Sequence, residues 1–244
     1  MTLPLHKVRA PFYELFFSFQ GEALYTGLPQ IFVRFSGCNL KCNYCDTIYS
    51  TIISKKSKYL TVDEVINKID LLYKENKKKF VFGKPSVVFT GGEPLMYADF
   101  LEVLLPKLKR KGFSIYLETN GTLPKKLKQV IEFCDTISMD FKLPSESNKF
   151  FWKEHKTFLK IAQNKASCQA FTKCVITKNT TISEIKKSAN IIKDISKEIP
   201  FVLQPSIDKN KPKIQNLYKF YTEVQKITNN VHLMVQMHKI FKIR

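Results

Sequence analysis

The sequence predicts an α/β fold, namely a partial, TIM-like barrel of the (βα)6 type with a mostly parallel sheet. Short apolar runs typical of buried strands alternate along the chain with longer segments of helical periodicity. Strands that alternate with helices form parallel βαβ units with right-handed crossovers. About six or seven such strands are expected, fewer than the eight that close a TIM barrel. The length of 244 residues suits one core, so we expect a single domain over residues 1–244.

The strands are predicted from short apolar runs bounded by turn residues. Before the first of them, residues 11–22 open apolar and end in a Gly-containing turn, and residues 23–29 are expected to form a loop. The predicted strands cover residues 30–35, 86–90, 113–117, 136–140, 170–176, 201–204 and 231–236.

The helices are predicted from apolar residues spaced three and four apart and from their start signals. Thr61 and Glu64 have the spacing of a capping box, and Pro124 suits the first turn of a helix. A polar break is expected at residues 74–79. The predicted helices cover residues 62–69, 97–110, 124–133, 149–163, 182–195 and 214–227.

The composition indicates a folded globular protein with no membrane-spanning segment. The hydrophobic fraction is 44%, and no apolar run reaches the ~18 residues of a transmembrane helix. The first residues lack the apolar stretch of a signal peptide. Six cysteines, three of them in one loop, argue against a disulfide framework and for a reducing compartment. We therefore expect a cytoplasmic protein.

The formal net charge of +19 favours an anionic partner at first sight. However, the lysines are spread over nearly every segment, and the densest run, residues 77–79, ends a predicted helix. Solvated helix faces and helix C-termini explain such lysines. No known nucleic-acid-binding pattern is visible, so we expect no direct nucleic-acid partner. An anionic small substrate or an acidic redox partner remains compatible with the charge.

Three cysteines with C-x3-C-x2-C spacing, Cys38, Cys42 and Cys45, directly follow the first predicted strand. Their thiolates can converge on one metal centre, but they cannot close a four-ligand site alone. A zinc knuckle fits poorly, because paired C-x2-C sequences with a second pair downstream are the zinc pattern. The other cysteines lie in or beside apolar runs and are expected to pack in the core: Cys134, Cys168 and Cys174.

The C-x3-C-x2-C loop resembles the cluster loop of the radical S-adenosylmethionine (SAM) enzymes. In that family the three cysteines hold a 4Fe-4S cluster, and the fourth iron takes the amino and carboxylate groups of SAM, which is cleaved reductively to a 5′-deoxyadenosyl radical. Residues 90–94, Thr-Gly-Gly-Glu-Pro, resemble the GGE motif of the same family, which receives the amino group of SAM. Alone, a Gly-Gly pair after a strand is more often just a turn.

The resemblance also implies which residues contact SAM. Side chains that alternate along a strand share a face, so Ser138, Asp140 and Lys142 can point at one ligand. A solvated strand end explains any one of these three nearly as well, and Gln204 fits an ordinary turn. The set assigned to SAM is Tyr44, Cys45, Asp46, Gly92, Glu93, Ser138, Asp140, Lys142 and Gln204.

Four local patterns together resemble the 7-carboxy-7-deazaguanine synthases, which are ring-contracting radical SAM lyases of 7-deazapurine (queuosine precursor) biosynthesis. The resemblance runs from about residue 14 to the last residue. The patterns are Phe-Gln-Gly-Glu at 19–22 with Arg34, Cys-Asp-Thr at 45–47, Glu-Thr-Asn-Gly-Thr at 118–122, and Gln-Met-His-Lys at 236–239. Ala23 departs from the family, in which a glycine is common at this position, and leaves the loop stiffer.

Carried over by position, the family's substrate contacts fall on Phe19, Gln20, Gly21, Glu22, Arg34, Thr90, His238 and Arg244. Arg34 would pair bidentately with the substrate carboxylate, and Arg244 would contribute its main-chain carboxylate. Thr47 would place its hydroxyl on a Mg2+ ion that also touches the substrate. Without its neighbours, His238 would fit an ordinary surface histidine.

The resemblance implies conversion of 6-carboxy-5,6,7,8-tetrahydropterin to 7-carboxy-7-deazaguanine plus ammonia. It further implies a flavodoxin- or ferredoxin-type electron donor and a homodimer. A radical SAM activase, which makes a glycyl radical on a partner protein, shares the cluster loop and is the rival enzyme. A zinc-containing RNA-binding protein is the rival outside the enzymes, motivated by the charge.

Overall fold

The computed structural model describes residues 8–80, 83–207 and 211–243. The strands are β1 (Arg9–Phe19), β2 (Pro29–Phe35), β3 (Lys58–Thr61), β4 (Ser86–Gly91), β5 (Ser114–Thr119), β6 (Thr136–Asp140), β7 (Gln169–Ile176), β8 (Phe201–Pro205) and β9 (Val231–Leu233). The helices are α1 (Val62–Asn76), α2 (Ala98–Arg110), α3 (Pro124–Val130), α4 (Pro144–Ser147), α5 (Trp152–Gln163), α6 (Ile182–Lys193), α7 (Ile214–Gln225) and α8 (Met237–Phe241). Single turns of 3-10 helix occur at Ala23–Tyr25, Ile48–Ser50, Lys77–Lys79, Pro94–Tyr97 and Ile131–Phe133.

The strands form one mixed sheet in the order β3-β1-β2-β4-β5-β6-β7-β8-β9. Every neighbouring pair from β2 to β9 is parallel, whereas β1 is antiparallel to both β2 and β3. Among the described strands, β3 and β9 each have one neighbour, so the sheet is open. The predicted partial barrel with a mostly parallel sheet is therefore confirmed.

The sheet is concave, and its inner face holds a small apolar cluster. Phe16 on β1, Phe32 on β2, Tyr116 on β5 and Phe171 on β7 belong to this cluster. Tyr25, after β1, places its ring centroid 5.4 Å from that of Tyr116 and 6.1 Å from that of Phe171. Since β1 and β7 lie several strands apart, contacts between them require the sheet to curve.

Polar side chains follow this apolar layer toward the carboxyl ends of the strands. Alternate residues of a strand share a face, so each polar residue stands two positions beyond an apolar one on the inner face. These polar residues are Arg34 on β2, Thr90 on β4, Glu118 on β5, Lys173 on β7 and Gln204 on β8. The inner face therefore opens into a polar site at the carboxyl ends, where parallel α/β folds bind their ligands.

The helices pack on the outer face of the sheet over the main core. In α1, Val62, Val65 and Ile69 face inward at helical spacing, and the predicted capping box between Thr61 and Glu64 is present. Such a cap stabilises a helix by about 1 kcal/mol. The predicted core positions of the three scattered cysteines are also confirmed, because Cys134, Cys168 and Cys174 are buried. No helix in the described ranges is long and apolar enough to cross a membrane.

Some predicted boundaries are wrong. Residues 9–19 form a strand, and β3 was not predicted. Helix α1 continues to Asn76, so the polar break begins later than expected, and β9 ends at Leu233. The helix expected from residue 149 begins at Trp152, because Asn148 adopts the left-handed conformation with φ of 55°.

Candidate active site

An open cavity lies at the carboxyl ends of the parallel strands. Its wall combines the end of β1, the cysteine loop, the ends of β2 and β4 to β7, and the segment leading into α8. The cavity therefore brings together residues from the first and the last parts of the described chain.

The cysteine loop is held by main-chain hydrogen bonds on two sides. The N–H groups of Gly37 and Cys38 donate to the carbonyl oxygens of Ser50 and Thr51, at 2.8 and 2.9 Å. On the other side, the N–H of Asn43 donates to the carbonyl oxygen of Glu146 at 3.1 Å. Cys38, Cys42 and Cys45 all line the cavity and are free thiols. The structure thus brings the three predicted ligands to one wall.

Burial keeps two of these thiols protonated in the metal-free chain. Burial raises the pKa of Cys38 to about 11, and burial also raises the pKa of Cys42. Without a cation both groups are neutral thiols at pH 7, and metal binding has to displace their protons. The N–H of Leu40 donates to Sγ of Cys38 at 3.4 Å, which stabilises a thiolate there.

A second polar network fixes the loop to the turn after β5. The side chain of Asn39 donates to Oγ1 of Thr122 and accepts from Nδ2 of Asn120, both at 2.9 Å. Oγ1 of Thr122 donates to Oδ1 of Asn120 at 2.6 Å. The Glu-Thr-Asn-Gly-Thr pattern therefore has a structural role, which is to hold the residue that follows Cys38.

Gly92 lets β4 approach the cysteine loop closely. A Cβ atom on Gly92 would stand 1.8 Å from the carbonyl oxygen of Gly37, which no side chain can occupy. The N–H of Glu93 donates to that same oxygen at 2.9 Å, and the N–H of Gly92 donates to the carbonyl oxygen of Phe35 at 3.2 Å. The glycine is thus required by backbone-to-backbone packing.

Glu93 lines the cavity, yet most of its carboxylate is used within the chain. Oε1 accepts from the N–H of Leu95 and from Oγ1 of Thr119, and Oε2 accepts from the N–H of Asn120. Each carboxylate oxygen accepts two bonds, so capacity for one further donor is left at Oε2. Burial raises the pKa of Glu93 despite these donors.

Asp140 and Lys142 form a buried ion pair beside the cysteine loop. Nζ of Lys142 lies 2.9 Å from Oδ2 of Asp140 and donates to the hydroxyl of Tyr44 at 3.1 Å. Burial opposes the charge of Lys142, but Asp140 and Tyr44 outweigh it, so its pKa lies above the usual range. Oδ1 of Asp140 is buried without a hydrogen-bond partner among the described residues. A hydrogen-bond donor on a bound ligand would satisfy this oxygen.

Glu22 is held by groups from two distant parts of the chain. Its Oε2 forms a salt bridge with Nζ of Lys173, and its Oε1 accepts from Nε2 of Gln236 at 2.9 Å. Burial alone would raise the pKa of Glu22, but Lys173 and His238 outweigh it and hold that pKa well below its usual range. Glu22 is therefore an ionised acceptor on the cavity wall.

His238 packs against Gly21 and faces Asp46. A Cβ atom on Gly21 would lie 2.5 Å from Nδ1 of His238, so only glycine permits this contact. Nε2 of His238 is 3.5 Å from Oδ2 of Asp46, and Nζ of Lys239 is 3.7 Å from the same oxygen. Burial works against the imidazolium, but Asp46 and Glu22 outweigh it and raise the pKa of His238. His238 is thus a wall residue and not an ordinary surface histidine.

Arg34 lines the cavity from β2. Glu14 lies opposite Arg34 in the β1–β2 register and accepts from Nε at 3.0 Å. The guanidinium carbon also stands 5.5 Å from the ring centroid of Phe16. These contacts fix the plane of the guanidinium.

Gln20 joins the same wall through its amide. Nε2 of Gln20 donates to Oε1 of Glu118 at 2.9 Å and to Oε1 of Gln30 at 3.1 Å, while Oε1 of Gln20 accepts from the N–H of Glu22. Phe19, Thr47 and Thr90 also line the cavity.

Two predicted site residues in the described ranges are not part of this wall, and a third lies outside those ranges. Ser138 and Gln204 are buried on the inner face but do not line the cavity. The side-chain nitrogen and oxygen of Gln204 have no hydrogen-bond partner in the described part of the chain. Arg244 lies outside the described residues. The remaining predicted residues are brought together.

Comparison with known proteins identifies the family. A model of the Radical SAM superfamily matches residues 32–192. A 7-carboxy-7-deazaguanine synthase from Geobacter sulfurreducens is 36% identical over 82% of this chain and 83% of its own length. The enzyme of that name from Archaeoglobus fulgidus is 34% identical over 97% of this chain and 100% of its own length. The chain belongs to the 7-carboxy-7-deazaguanine synthase family of the radical SAM superfamily.

Solved structures agree with this membership at the level of the fold. The crystal structure of QueE from Escherichia coli matches with a TM-score of 0.63 over 94% of this chain and 95% of that chain, at 20% identity. A structure of TYW1 with a lysine-pyruvate adduct bound has a TM-score of 0.60 over 82% of this chain and 74% of that chain, at 15% identity. The open, mostly parallel sheet is therefore a radical SAM fold.

Membership of this superfamily implies a 4Fe-4S cluster and SAM, and the cavity fits both. Cys38, Cys42 and Cys45 supply thiols on one wall, which suits iron. Beside them, Oδ1 of Asp140 is buried and has no hydrogen-bond partner among the described residues. At Gly92 the main chain packs directly against Gly37, at the start of the cysteine loop. The donor set is thus appropriate for a cluster with an adjacent polar ligand.

Several wall residues of this family member were missed by sequence reasoning, above all Lys173. A charged residue at the centre of an otherwise apolar strand was the available signal, because alternation places Lys173 on the same face as Phe171 and Val175. Five wall residues were seen only as parts of family patterns: Glu118, Thr119, Asn120, Gln236 and Lys239. The other missed wall residues with polar side chains are Thr51 and Ser206.

Proposed function

We propose that this chain converts 6-carboxy-5,6,7,8-tetrahydropterin to 7-carboxy-7-deazaguanine and ammonia, as a radical SAM lyase of queuosine biosynthesis. The observation that carries the proposal is that one cavity joins the cluster cysteines to Glu22, Arg34 and His238. Relatives with this activity in their name cover most of the chain at 34–36% identity. The activase and the zinc-containing RNA-binding protein are not favoured, because the family is that of the synthases.

Cys38, Cys42 and Cys45 hold the cluster in this proposal. When bound and reduced, the cluster would supply an electron for the reductive cleavage of SAM, and the resulting 5′-deoxyadenosyl radical would serve to abstract hydrogen from C6 of the pterin. The task of the protein is to position both ligands and to exclude water. The main-chain hydrogen bonds of Gly37 and Asn43 support the assignment of the cysteines to the cluster, since they fix the cysteine loop on both sides.

The SAM side is assigned to residues around the ends of β4, β6 and β8. Asp140 accepts a ligand hydroxyl at its unpartnered Oδ1, while Lys142 offers a positive charge to a carboxylate. Glu93 uses its remaining acceptor capacity for an amino group. Gln204 is supported by its unpartnered buried amide, and Ser138 by its place on the same face as Asp140. Tyr44, Cys45, Asp46 and Gly92 complete the set.

The pterin side is assigned to the part of the wall around Glu22, Arg34 and His238. Arg34 pairs with the substrate carboxylate, and its orientation by Glu14 supports this role. Glu22 accepts ring N–H groups because it is ionised, and Gln20 and His238 bond other polar edges. Phe19, Gly21 and Thr90 shape the wall, and Arg244 adds its main-chain carboxylate.

A Mg2+ ion beside Thr47 belongs to the proposal. The hydroxyl of Thr47 lies on the cavity wall, 3.9 Å from Sγ of Cys45. An ion bound to this hydroxyl would therefore lie between the cysteine loop and the substrate. Mg2+ keeps several non-protein ligands and needs few from the chain. Glu22, Asp46 and His238 also place ligand atoms within 4.8 Å of one another. The nearby lysines already neutralise these carboxylates, so Thr47 is the better candidate.

The proposed partners are a flavodoxin- or ferredoxin-type electron donor and a second copy of the chain, in the cytoplasm. The formal net charge of +19 supports an acidic donor protein. Light scattering on the purified protein tests the homodimer, and reduction of the cluster by each donor class tests the donor.

The decisive experiment is anaerobic. The protein is reconstituted with iron and sulfide and incubated with SAM, dithionite, Mg2+ and 6-carboxytetrahydropterin, and products are followed by mass spectrometry. We expect 7-carboxy-7-deazaguanine, which is lost in Cys42→Ala, retained in the matched variant Cys168→Ala, and reduced without Mg2+. Cleavage of SAM with an unchanged pterin would refute the substrate, and failure to form any cluster would refute the cysteine assignment.

A further inference from the structure

Lys173 is a buried cation that the roles assigned above do not use. It lies on β7, and its side chain is 11% exposed, between the two walls of the cavity. Lysine is almost never buried unless its ammonium is paired. The pairing of Lys173 therefore shows what this residue does.

The ammonium of Lys173 is shared by two carboxylates, one from each proposed subsite. It forms a salt bridge with Oε2 of Glu22 on the pterin side and lies 3.8 Å from Oδ2 of Asp140 on the SAM side. Asp140 and Lys173 are paired in the register of β6 and β7, so their distance is fixed by the sheet. Glu22 instead comes from the turn after β1. Lys173 thus ties the turn after β1 to strand β7.

The contacts of Lys173 are part of a larger network in which lysines and carboxylates alternate. Beyond Asp140 stands Lys142, at 2.9 Å, which in turn donates to the hydroxyl of Tyr44 beside the cluster cysteines. Beyond Glu22 stands Gln236 at 2.9 Å. In a low-dielectric interior such a network responds as a unit, because each ion depends on its neighbours for compensation.

We propose that Lys173 is a positioning residue that serves as the shared counter-ion of Glu22 and Asp140 and thereby couples the pterin subsite to the SAM subsite. The pterin identity rests on the proposed function, but the coupling to SAM does not. Glu22 contacts Lys173 directly, but it also lies within 4.8 Å of Asp46, which is assigned to SAM. The Lys173→Met background is therefore needed to show that an effect of Glu22 on SAM binding passes through Lys173.

The sign of the coupling follows from the charges. When Glu22 loses its charge, the ammonium of Lys173 is released toward Asp140, whose Oδ2 already accepts from Lys142. Asp140 is then drawn from its present orientation, so its Oδ1 no longer faces the ligand. Neutralising Glu22 therefore weakens SAM binding, although Glu22 does not touch SAM.

The test is a double-mutant cycle on SAM affinity, measured by anaerobic equilibrium dialysis of the cluster-loaded protein without pterin. We expect Glu22→Gln to weaken SAM binding about threefold or more and Lys173→Met to weaken it about tenfold. In the Lys173→Met background, Glu22→Gln should cause no further loss of SAM affinity. Lys178→Met, which removes an exposed lysine just after β7, is the matched control and should leave SAM affinity unchanged.

Additive effects of the two substitutions, or an unchanged SAM affinity in Glu22→Gln, would overturn the proposal. If Lys173→Met fails to fold because two buried carboxylates lose their counter-ion, Lys173→Arg replaces it. Arginine keeps the charge, so Glu22→Gln should still weaken SAM binding in that background, and loss of the effect would refute the coupling. No pterin is present in this measurement. If the double-mutant cycle gives the expected result but the pterin is not converted in the activity assay, only the substrate assignment is refuted.

Discussion

Glu93 offers a sharp test of how the cavity is built, because its carboxylate joins the end of β4 to the end of β5. The residue is 0% exposed and accepts from the N–H of Leu95 at 3.0 Å, Oγ1 of Thr119 at 2.7 Å and the N–H of Asn120 at 2.8 Å. Replacement by alanine would leave three buried donors without their acceptor. Each such donor costs about 1–3 kcal/mol.

Part of that cost is returned, since burial of the Glu93 charge is itself unfavourable, as its raised pKa indicates. We expect Glu93→Ala to lower the free energy of unfolding of the metal-free chain by about 3–5 kcal/mol, a large share of a typical total of about 5–15 kcal/mol.

Urea denaturation followed by circular dichroism measures this change. Glu102→Ala, at an exposed position of α2, serves as the control and should stay within about 0.5 kcal/mol of the parent. A loss below about 1 kcal/mol in Glu93→Ala would show that the carboxylate serves the ligand alone and that the reasoning from its three donors is wrong.

Three further outcomes follow from the geometry. Gly92→Ala should prevent cluster assembly, seen as loss of the visible absorbance after reconstitution, because its Cβ would lie 1.8 Å from the carbonyl oxygen of Gly37. Gly21→Ala should raise KM for the pterin by about tenfold or more, with an unchanged circular dichroism spectrum, since its Cβ would displace His238. Burial lowers the pKa of His155 to about 4, against ~6.5 when unfolded, so stability should be complete above about pH 6.5 and fall by ~1.4 kcal/mol per pH unit toward pH 4. His155→Gln should remove that slope from urea titrations, and an unchanged slope would contradict it.

The parts of the site that the sequence predicted are the local ones. Cys38, Cys42 and Cys45 lie close together in the chain, so their spacing alone indicates convergence. Gly92 and Glu93 follow a strand directly, and a parallel sheet places every such strand end at one edge. These features need only short-range geometry and the order of the elements.

The missed parts depend on contacts between distant segments. Glu22 and Lys173 are 151 positions apart, and only the curvature of the sheet brings them together. The partner of Arg34 required the antiparallel register of β1, and that strand has no simple alternation because the register shifts between Phe12 and Glu14. The alternation of side chains along a strand predicts which face of the sheet a residue is on, but it does not predict which residues on that face will be in contact.

Two residues that were predicted to contact SAM do not lie on the cavity wall. Ser138 and Gln204 are on the predicted face and are buried, but they do not line the cavity. Helix α8 escaped prediction because five residues are too few for a periodic pattern.

The attachment of α8 to the turn after β1 has a consequence for biosynthesis. The N–H of Met237 donates to the carbonyl oxygen of Gly21, and Gln236 reaches Glu22 across 214 positions of sequence. So short a helix is unstable alone and depends on these contacts. The ribosome makes α8 after every strand of the sheet, so a nascent chain can present its cysteine loop well before the wall that carries His238 exists. The part of the cavity wall that carries His238 is thereby completed only after α8 has been translated.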